Sequence, residues 1–366
     1  MTASKIVFAN QLRGAAALLV VVNHWFGFYW RGRDVVATAT ATPVQPGVEP
    51  WIANLADSGW HNTGPLGVAL FFLISGFVIP FSLEHHNRLS FLAARILRIY
   101  PVYFLAVAID LGAILLSSHH WDLPVPLTGR QVLFNALLIN NLAWLRSIDM
   151  VNWTLAVEIK FYLAVALLFA PIRARRVWPL LAASALIVPA GWLLVKQRLG
   201  DGSPFYPALS MTAVDCAYLP FMFIGTAFKF HVEKALSLRG LVLATIALAG
   251  LALAAFSCQF KQIADALPTA LNYLYALILF AVACVYRHRF RPLAILDGLA
   301  AISYPLYAVH AILGYALLKS LTLGMGLGLY PALAVTALVV FPLAAGLHVS
   351  AERFGINAGR RLSRRP

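Results

Sequence analysis

The sequence predicts an all-α, polytopic membrane protein with about ten transmembrane helices and both termini in the cytoplasm. Of its 366 residues, 61% are hydrophobic and 11% are charged, and the mean hydropathy is +0.79. Soluble domains carry about 25% charged residues. The apolar runs are long enough to cross a bilayer and lack the alternation of a membrane β-barrel. They span 11–30, 66–83, 100–117, 153–171, 177–195, 213–230, 240–257, 268–286, 299–318 and 331–349.

The distribution of basic residues orients these spans. With a cytoplasmic N-terminus, most of the 28 Lys and Arg residues fall on the cytoplasmic side, as the positive-inside rule requires. The formal net charge of +14 therefore reflects topology, and nucleic acid is not an expected partner. We interpret residues 1–352 as one transmembrane domain and 353–366 as a basic cytoplasmic tail with affinity for anionic membrane lipid.

The first span carries two ionisable side chains, and the second is rich in glycine. Arg13 lies at the predicted cytoplasmic edge, and His24 lies eleven residues further on, beyond the midplane. At about 100° and 1.5 Å per residue, both share one helix face about 16 Å apart. Ionisable groups at this depth suggest function, and a snorkelling arginine with a structural histidine is the alternative. Gly64, Gly67 and Gly76 allow close helix contacts or leave room for a thin ligand.

The third span begins with a pair of arginines. Arg95 and Arg98 share a face at spacing i,i+3, at the predicted cytoplasmic edge. Charge at this position satisfies the topology rule by itself. Guanidinium groups also bind phosphate through paired N–H donors, so the pair is a candidate phosphate site.

The fourth span contains a carboxylate. Glu158 is predicted at a depth comparable to that of His24, with Thr154 and Tyr162 one turn away on the same face. A buried carboxylate beside an imidazole orients it as a base. An ion pair with Lys160 is the alternative, but residues at i,i+2 point to different faces of a helix.

The remaining sequence offers few other sites. Two longer loops, 31–65 and 118–152, lie on the predicted outer side, and the apolar stretch 132–145 within the second is too short to span. It is expected to lie in the interface or to re-enter the membrane. The three cysteines are scattered among different spans, so neither disulfides nor a metal site are expected.

Six segments in order along nearly the whole chain carry a resemblance to one family. They are Arg13-Gly14 with His24, "GVALFFLISGF" (67–77), Arg95-x-x-Arg98-x-Tyr100-Pro101, "WTLAVEIKFY" (153–162), "SYPLYAVH" (303–310) and Glu352-Arg353. This pattern resembles acyltransferase family 3, integral membrane acyltransferases that O-acetylate bacterial surface sugars. Many relatives carry a C-terminal esterase-like domain. This sequence ends shortly after the tenth span, so transfer is expected to be completed by the membrane domain or a separate partner.

The resemblance implies roles for matching residues. They are His24, Glu158 and Arg13 in catalysis; Arg95, Arg98, Ser75 and Tyr100 in binding the acyl donor; and Trp153, Thr154, Tyr162 and His310 on the acceptor side. Two positions depart from the family pattern, because Thr154 replaces the usual serine and Lys160 replaces a neutral polar residue.

The expected function is O-acyl transfer at a bacterial inner (plasma) membrane. Acetyl-CoA is the expected donor and no metal is expected; its phosphates would bind Arg95 and Arg98. His24, oriented by Glu158, would act as general base, or would itself accept the acyl group. The acceptor would be a carbohydrate or lipid-linked glycan, such as exopolysaccharide or O-antigen, at the outer side. Homodimer formation is left open.

Two other classes of protein remain at this point. A transporter would use the intramembrane His, Glu and Arg for coupling or substrate binding. A polysaccharide export subunit would need no catalytic His24.

Overall fold

The computed structural model describes residues 7–362, and this part of the chain contains helices and no β-strand. The first nine α-helices are α1 (Val7–Val22), α2 (Tyr29–Arg31), α3 (Arg33–Thr40), α4 (Trp51–Ala56), α5 (Thr63–Val78), α6 (Arg88–Trp121), α7 (Gly129–Ala136), α8 (Trp153–Leu167) and α9 (Phe169–Arg173). The others are α10 (Trp178–Gly191), α11 (Tyr206–Cys216), α12 (Leu219–Val232), α13 (Leu238–Ser257), α14 (Leu267–Val285), α15 (Ala294–Val309), α16 (Ile312–Lys319), α17 (Leu329–Leu347) and α18 (Arg353–Arg361).

Seven helical segments within residues 7–362 are long and apolar enough to cross a membrane. They are Thr63–Glu84, Arg88–Trp121, Trp178–Lys196, Tyr206–Val232, Leu238–Ser257, Ile263–Val285 and Leu329–Arg361. Helices α15 and α16 form an eighth if they are one span, bent by 71° at the break between them. The prediction of a polytopic helical membrane protein is therefore confirmed.

The other two predicted spans are also helical, but their polarity or length sets them apart. Helix α1 continues through a π-helical segment, Asn23–Phe28, and its polar residues include Arg13 and His24. Helix α8 has only 15 residues, and α9 follows after Leu168. Helix α1 packs against α5 and α15, so protein rather than lipid covers much of its surface. The count of ten and the orientation of the termini stay predictions.

Close backbone contact joins α5 to α12 in the centre of the bundle. A Cβ atom on Gly76 would lie 1.8 Å from the carbonyl oxygen of Met222, and one on Gly225 would lie 2.2 Å from that of Leu73. Thr226 adds a hydrogen bond of 2.9 Å from its hydroxyl to the Gly76 carbonyl. Gly76 therefore serves close helix packing, the first of the two predicted uses of the glycines.

Ion pairs join several loops at one end of the bundle. Arg175 contacts Glu233 at 2.7 Å and Glu84 at 4.0 Å, and Lys229 contacts Glu233 at 2.9 Å. These loops therefore lie on one side, as the predicted topology requires, and we call it the basic end. The predicted tail begins there as α18, which packs on α6. Residues 363–366 of that tail lie outside the described residues.

The two longer loops fold against the opposite end. Lys319 at the end of α16 is fully buried and donates a hydrogen bond of 3.0 Å to the carbonyl of Pro43. The stretch 132–145 forms the end of α7 and a 3-10 turn at Asn141–Ala143, and neither is long enough to span. The first loop is thus fastened to α16, and the second is fastened to α6 by a hydrogen bond of 2.9 Å from the Tyr103 hydroxyl to the Asn135 carbonyl.

Candidate active site

His24 lies in the π-helical segment, directly opposite the break between α15 and α16. The break leaves His310 outside both helices, with no exposed surface. Trp25 donates a hydrogen bond of 2.9 Å from Nε1 to the His310 carbonyl, which ties the two irregular segments together. Such π segments occur frequently at functional sites, because they redirect side chains within an otherwise regular helix.

The imidazoles of His24 and His310 form a hydrogen-bonded pair. Nδ1 of His24 lies 2.5 Å from Nε2 of His310, and the two ring planes are 20° apart. Nδ1 of His310 lies 2.9 Å from the carbonyl of Tyr307 and 3.1 Å from that of Leu306. Carbonyls only accept, so we infer that Nδ1 of His310 carries a proton and that its Nε2 accepts one from Nδ1 of His24. This tautomer leaves the lone pair on Nε2 of His24.

His24 lines a cavity of about 270 Å³, which we call the histidine cavity. Its lining residues are Val20, Asn23, His24, Gly64, Pro65, Val68, Val151, Trp153, Tyr218, Phe256, Thr269, Tyr273 and Tyr307. Nε2 of His24 has no hydrogen-bond partner among the described residues. Since Nδ1 of His24 is bonded to His310, we infer that Nε2 is the nitrogen that can meet a molecule in this cavity, beside several aromatic rings.

A second cavity of about 80 Å³, the arginine cavity, lies next to the first. It is lined by Arg13, Val68, Phe71, Phe72, Ser75, Arg98, Ile99, Thr154, Leu155, Glu158, Tyr162, Ser303, Tyr304 and Tyr307. Val68 and Tyr307 line both cavities, so these two side chains form the boundary between them.

Charge in the arginine cavity favours an anion. Arg13 and Arg98 line it, and neither donates a hydrogen bond to another residue within 7–362. Glu158 is the only carboxylate among the lining residues; it accepts a hydrogen bond of 2.7 Å from the Tyr162 hydroxyl and a longer one of 3.5 Å from Ser75. Two guanidinium groups against one carboxylate leave a net positive charge with unused N–H donors, which suits phosphate.

Arg95 lies beside this cavity rather than in its wall. Its guanidinium is 5.5 Å from the ring centroid of Phe91 and 5.9 Å from that of Tyr162. Its Nε is buried without a partner in the described chain. The predicted arginine pair is therefore split, with Arg98 in the wall and Arg95 held by aromatic rings behind it.

The expected contact between Glu158 and His24 is not formed, and that expectation is corrected. The partner of His24 is His310, whereas Glu158 bonds Tyr162 in the arginine cavity. Two cations line that cavity, so the carboxylate is stabilised there rather than beside a neutral imidazole. Lys160 pairs instead with Asp215 at 2.7 Å, in keeping with the argument against an ion pair with Glu158.

The other predicted residues divide between the cavities. Trp153 lines the histidine cavity, whereas Thr154 and Tyr162, expected on the acceptor side, line the arginine cavity. Tyr100 lines neither cavity, because its hydroxyl donates a hydrogen bond of 3.0 Å to the Leu137 carbonyl. The donor-site assignment of Tyr100 therefore has no support in this geometry.

Tyr307 is one of several lining residues that sequence reasoning missed, and it lies between the histidine cavity and the arginine cavity. Its ring bounds both cavities, and its hydroxyl lies 2.9 Å from Oγ1 of Thr154. The signal was its position three residues before His310 in a motif already singled out, because this spacing places both on one helix face.

In the described part of the chain, no group of three or more His, Cys, Asp or Glu side chains could hold a metal ion. Helices long enough to span a membrane surround a cavity lined by a histidine, so the fold defines an integral membrane protein with an interior candidate site. A family model described as an acyltransferase domain matches residues 6–346. The chain belongs to this family, acyltransferase family 3, and is a membrane acyltransferase.

This membership confirms the predicted resemblance and removes the transporter and export-subunit alternatives as the primary function. No curated protein and no solved structure matches the chain.

Proposed function

We propose that this enzyme moves an acetyl group from cytoplasmic acetyl-CoA to a carbohydrate hydroxyl at the outer side of the bacterial inner membrane. The observation that carries the proposal is the pair of adjoining cavities with different chemistry. One is cationic and includes Arg98, near the basic end of α6; the other has aromatic walls and an available base, Nε2 of His24. A phosphate-bearing donor fits the first and a sugar fits the second.

The donor would enter at the basic end. Its phosphates would bind the unused N–H groups of Arg13 and Arg98, with Arg95 adding positive charge behind them. Glu158 would limit the net charge of the cavity rather than orient His24. The thin pantetheine arm would then pass between Val68 and Tyr307, which brings the thioester into the histidine cavity.

The transfer would follow from the tautomer of His24. Nε2 removes the proton of the acceptor hydroxyl as its oxygen attacks the thioester carbonyl, and the C–S bond then breaks. The imidazolium returns its proton to the departing CoA thiolate. His310 accepts the hydrogen bond from Nδ1–H of His24 throughout, so it fixes the tautomer and the ring orientation, which is the orienting role of the carboxylate in a serine-protease triad.

The acceptor would be held by the aromatic walls. Trp153, Tyr218 and Tyr273 line the histidine cavity and offer ring faces and hydroxyl groups to a sugar. Trp153 is 37% exposed, so one wall of the cavity is accessible.

Mass spectrometry of surface glycans tests the proposal. Cells with the wild-type protein should carry glycan with one additional acetyl group per modified unit, and cells with His24→Ala should lose it. We expect transfer in membranes to fall by about 10²–10⁴-fold, the contribution of a general base. His119→Ala, an exposed histidine at the far end of α6, is the matched control and should retain activity. If the glycans of wild-type and His24→Ala cells have the same mass, without the acetyl group, the proposal of a glycan acceptor is refuted. If the His24→Ala protein is active, His24 is not the general base.

A further inference from the structure

An apolar groove lies beside the histidine cavity, between α13 and α14. Its volume is about 260 Å³, and its lining residues are Ala217, Tyr218, Phe221, Ala249, Ala252, Leu253, Phe256, Leu267, Thr269, Ala270, Leu271, Tyr273, Leu274 and Leu277. Four of these, Tyr218, Phe256, Thr269 and Tyr273, also line the histidine cavity. The two spaces therefore adjoin along a shared wall.

The groove lies in the half of the bundle that is farther from the basic end. It follows the last turns of α13 and the first half of α14, from Leu267 to Leu277. At 1.5 Å per residue this length of helix covers about 15 Å. Leu267 and Leu274 are 46% and 47% exposed, so the groove opens on a surface that faces membrane lipid.

The chemistry of the groove suits hydrocarbon. Its lining includes no charged side chain among the described residues, and its polar groups are the hydroxyls of Tyr218, Tyr273 and Thr269. All three belong to the wall shared with the histidine cavity. A ligand placed along both spaces would therefore have its polar part beside His24 and its apolar part in the groove.

We propose that the groove binds the lipid chain of the acceptor, so that the substrate is a membrane-anchored glycoside rather than a free sugar. This inference rests on the proposed function and specifies its substrate class. An acyl chain of the donor would arrive through the arginine cavity and would need no opening to lipid. An acceptor in the outer leaflet needs that opening, and the groove has it at Leu267 and Leu274.

The groove would position the acceptor more than it would increase the binding affinity for it. Moving a lipid chain from the bilayer into an apolar groove exchanges one apolar environment for another, so little hydrophobic free energy is gained. Fixing the chain restricts the attached sugar to the histidine cavity, and this raises the effective concentration of its hydroxyl at Nε2 of His24.

Photolabelling in nanodiscs tests this binding without requiring turnover. The probe is hexadecyl β-D-glucoside with a diazirine in its alkyl chain. We expect labelled peptides from 249–256 and 267–277, with competition by unlabelled hexadecyl glucoside and none by methyl glucoside. Ala252→Trp fills the groove and should reduce labelling by about tenfold. Ala247→Trp is the matched control, since Ala247 is exposed on the same helix and does not line the groove.

Three outcomes would overturn the proposal. The first is equal labelling of the Ala252→Trp and wild-type proteins. The second is competition by phosphatidylglycerol equal to that by hexadecyl glucoside, which would make the occupant ordinary bilayer lipid. The third is preferential labelling by a diazirine palmitoyl-CoA, which would assign the groove to the donor. The His24→Ala protein, which should be inactive, should be photolabelled to the same extent as wild type. The labelling test is therefore independent of the test of the proposed function. If the wild-type protein is labelled in the groove but transfers no acetyl group, the proposed function is refuted and the groove remains a binding site for the lipid chain of a glycoside.

Discussion

Nδ1 of His24 lies 2.5 Å from Nε2 of His310, and these two residues are 286 positions apart in the sequence. The ring of His310 is itself held by two backbone carbonyls of α15. A carbonyl, an imidazole and a second imidazole therefore form a chain that ends at the available nitrogen of His24. His310 thus orients His24, the role that the sequence predicts for the carboxylate of Glu158.

The first prediction concerns His310. His310→Phe removes the acceptor for Nδ1–H of His24, so the ring of His24 is free to adopt the wrong tautomer and orientation. We expect kcat to fall by about 10–10³-fold, less than for His24→Ala, since the base itself remains. The KM for acetyl-CoA should not change, because the arginine cavity is intact. Steady-state kinetics in proteoliposomes measure both constants.

A conservative variant separates positioning from packing at the same site. His310→Gln offers an amide oxygen to Nδ1–H of His24 and should recover part of the lost kcat. If both His310 variants retain wild-type kcat with normal expression, the histidine pair has no part in the reaction.

The second prediction concerns the donor. Arg13→Ala and Arg98→Ala should raise the KM for acetyl-CoA, since each removes a lining guanidinium with free donors. Substitution by Lys should recover binding only in part, because the planar pair of N–H groups is lost. Tyr100→Phe is the control on α6, since its hydroxyl bonds Leu137 away from both cavities. An unchanged KM in both alanine variants would reduce these arginines to topology determinants.

The third prediction concerns the two sides of the membrane. CoA is charged and cannot cross hydrocarbon cheaply, so the donor should be used only from the basic end. In sealed vesicles with the cytoplasmic face inward, trapped acetyl-CoA should acetylate an external acceptor, and external acetyl-CoA should give no product. Transfer of radiolabelled acetyl measures this directly. Equal activity with donor on either side would contradict the transmembrane route.

The fourth prediction concerns stability. Gly76→Ala places a Cβ atom against the Met222 carbonyl, so α5 and α12 must move apart. We expect a loss of about 1–3 kcal/mol, the usual cost of overpacking, and a lower midpoint of thermal unfolding. Gly250→Ala on α13 meets no atom within 4 Å, so it should not lower the midpoint and should raise it slightly through the higher helix propensity of alanine. Equal midpoints for both variants would show that the α5–α12 contact is not rigid.

Much of the architecture was predictable because it depends on local composition. Every predicted span is built mainly of helix, although the ninth is broken at His310, since apolar runs of this length must satisfy their backbone hydrogen bonds internally. Helix α1 differs from the other spans in its hydropathy. Its polar residues keep it below the level of a typical span, yet the helix is present because neighbouring helices cover it.

The sequence by itself determined the class of protein and the family, and it singled out His24 and the arginines as candidate site residues, because these follow from composition and ordered motifs. Only the tertiary structure decided which side chain meets His24. Glu158 and His310 were both available in the sequence, and the choice depended on the 71° break after α15 and on the attraction of Glu158 to the arginines. Contacts between helices so far apart in the chain follow from packing geometry, which no local pattern of residues encodes.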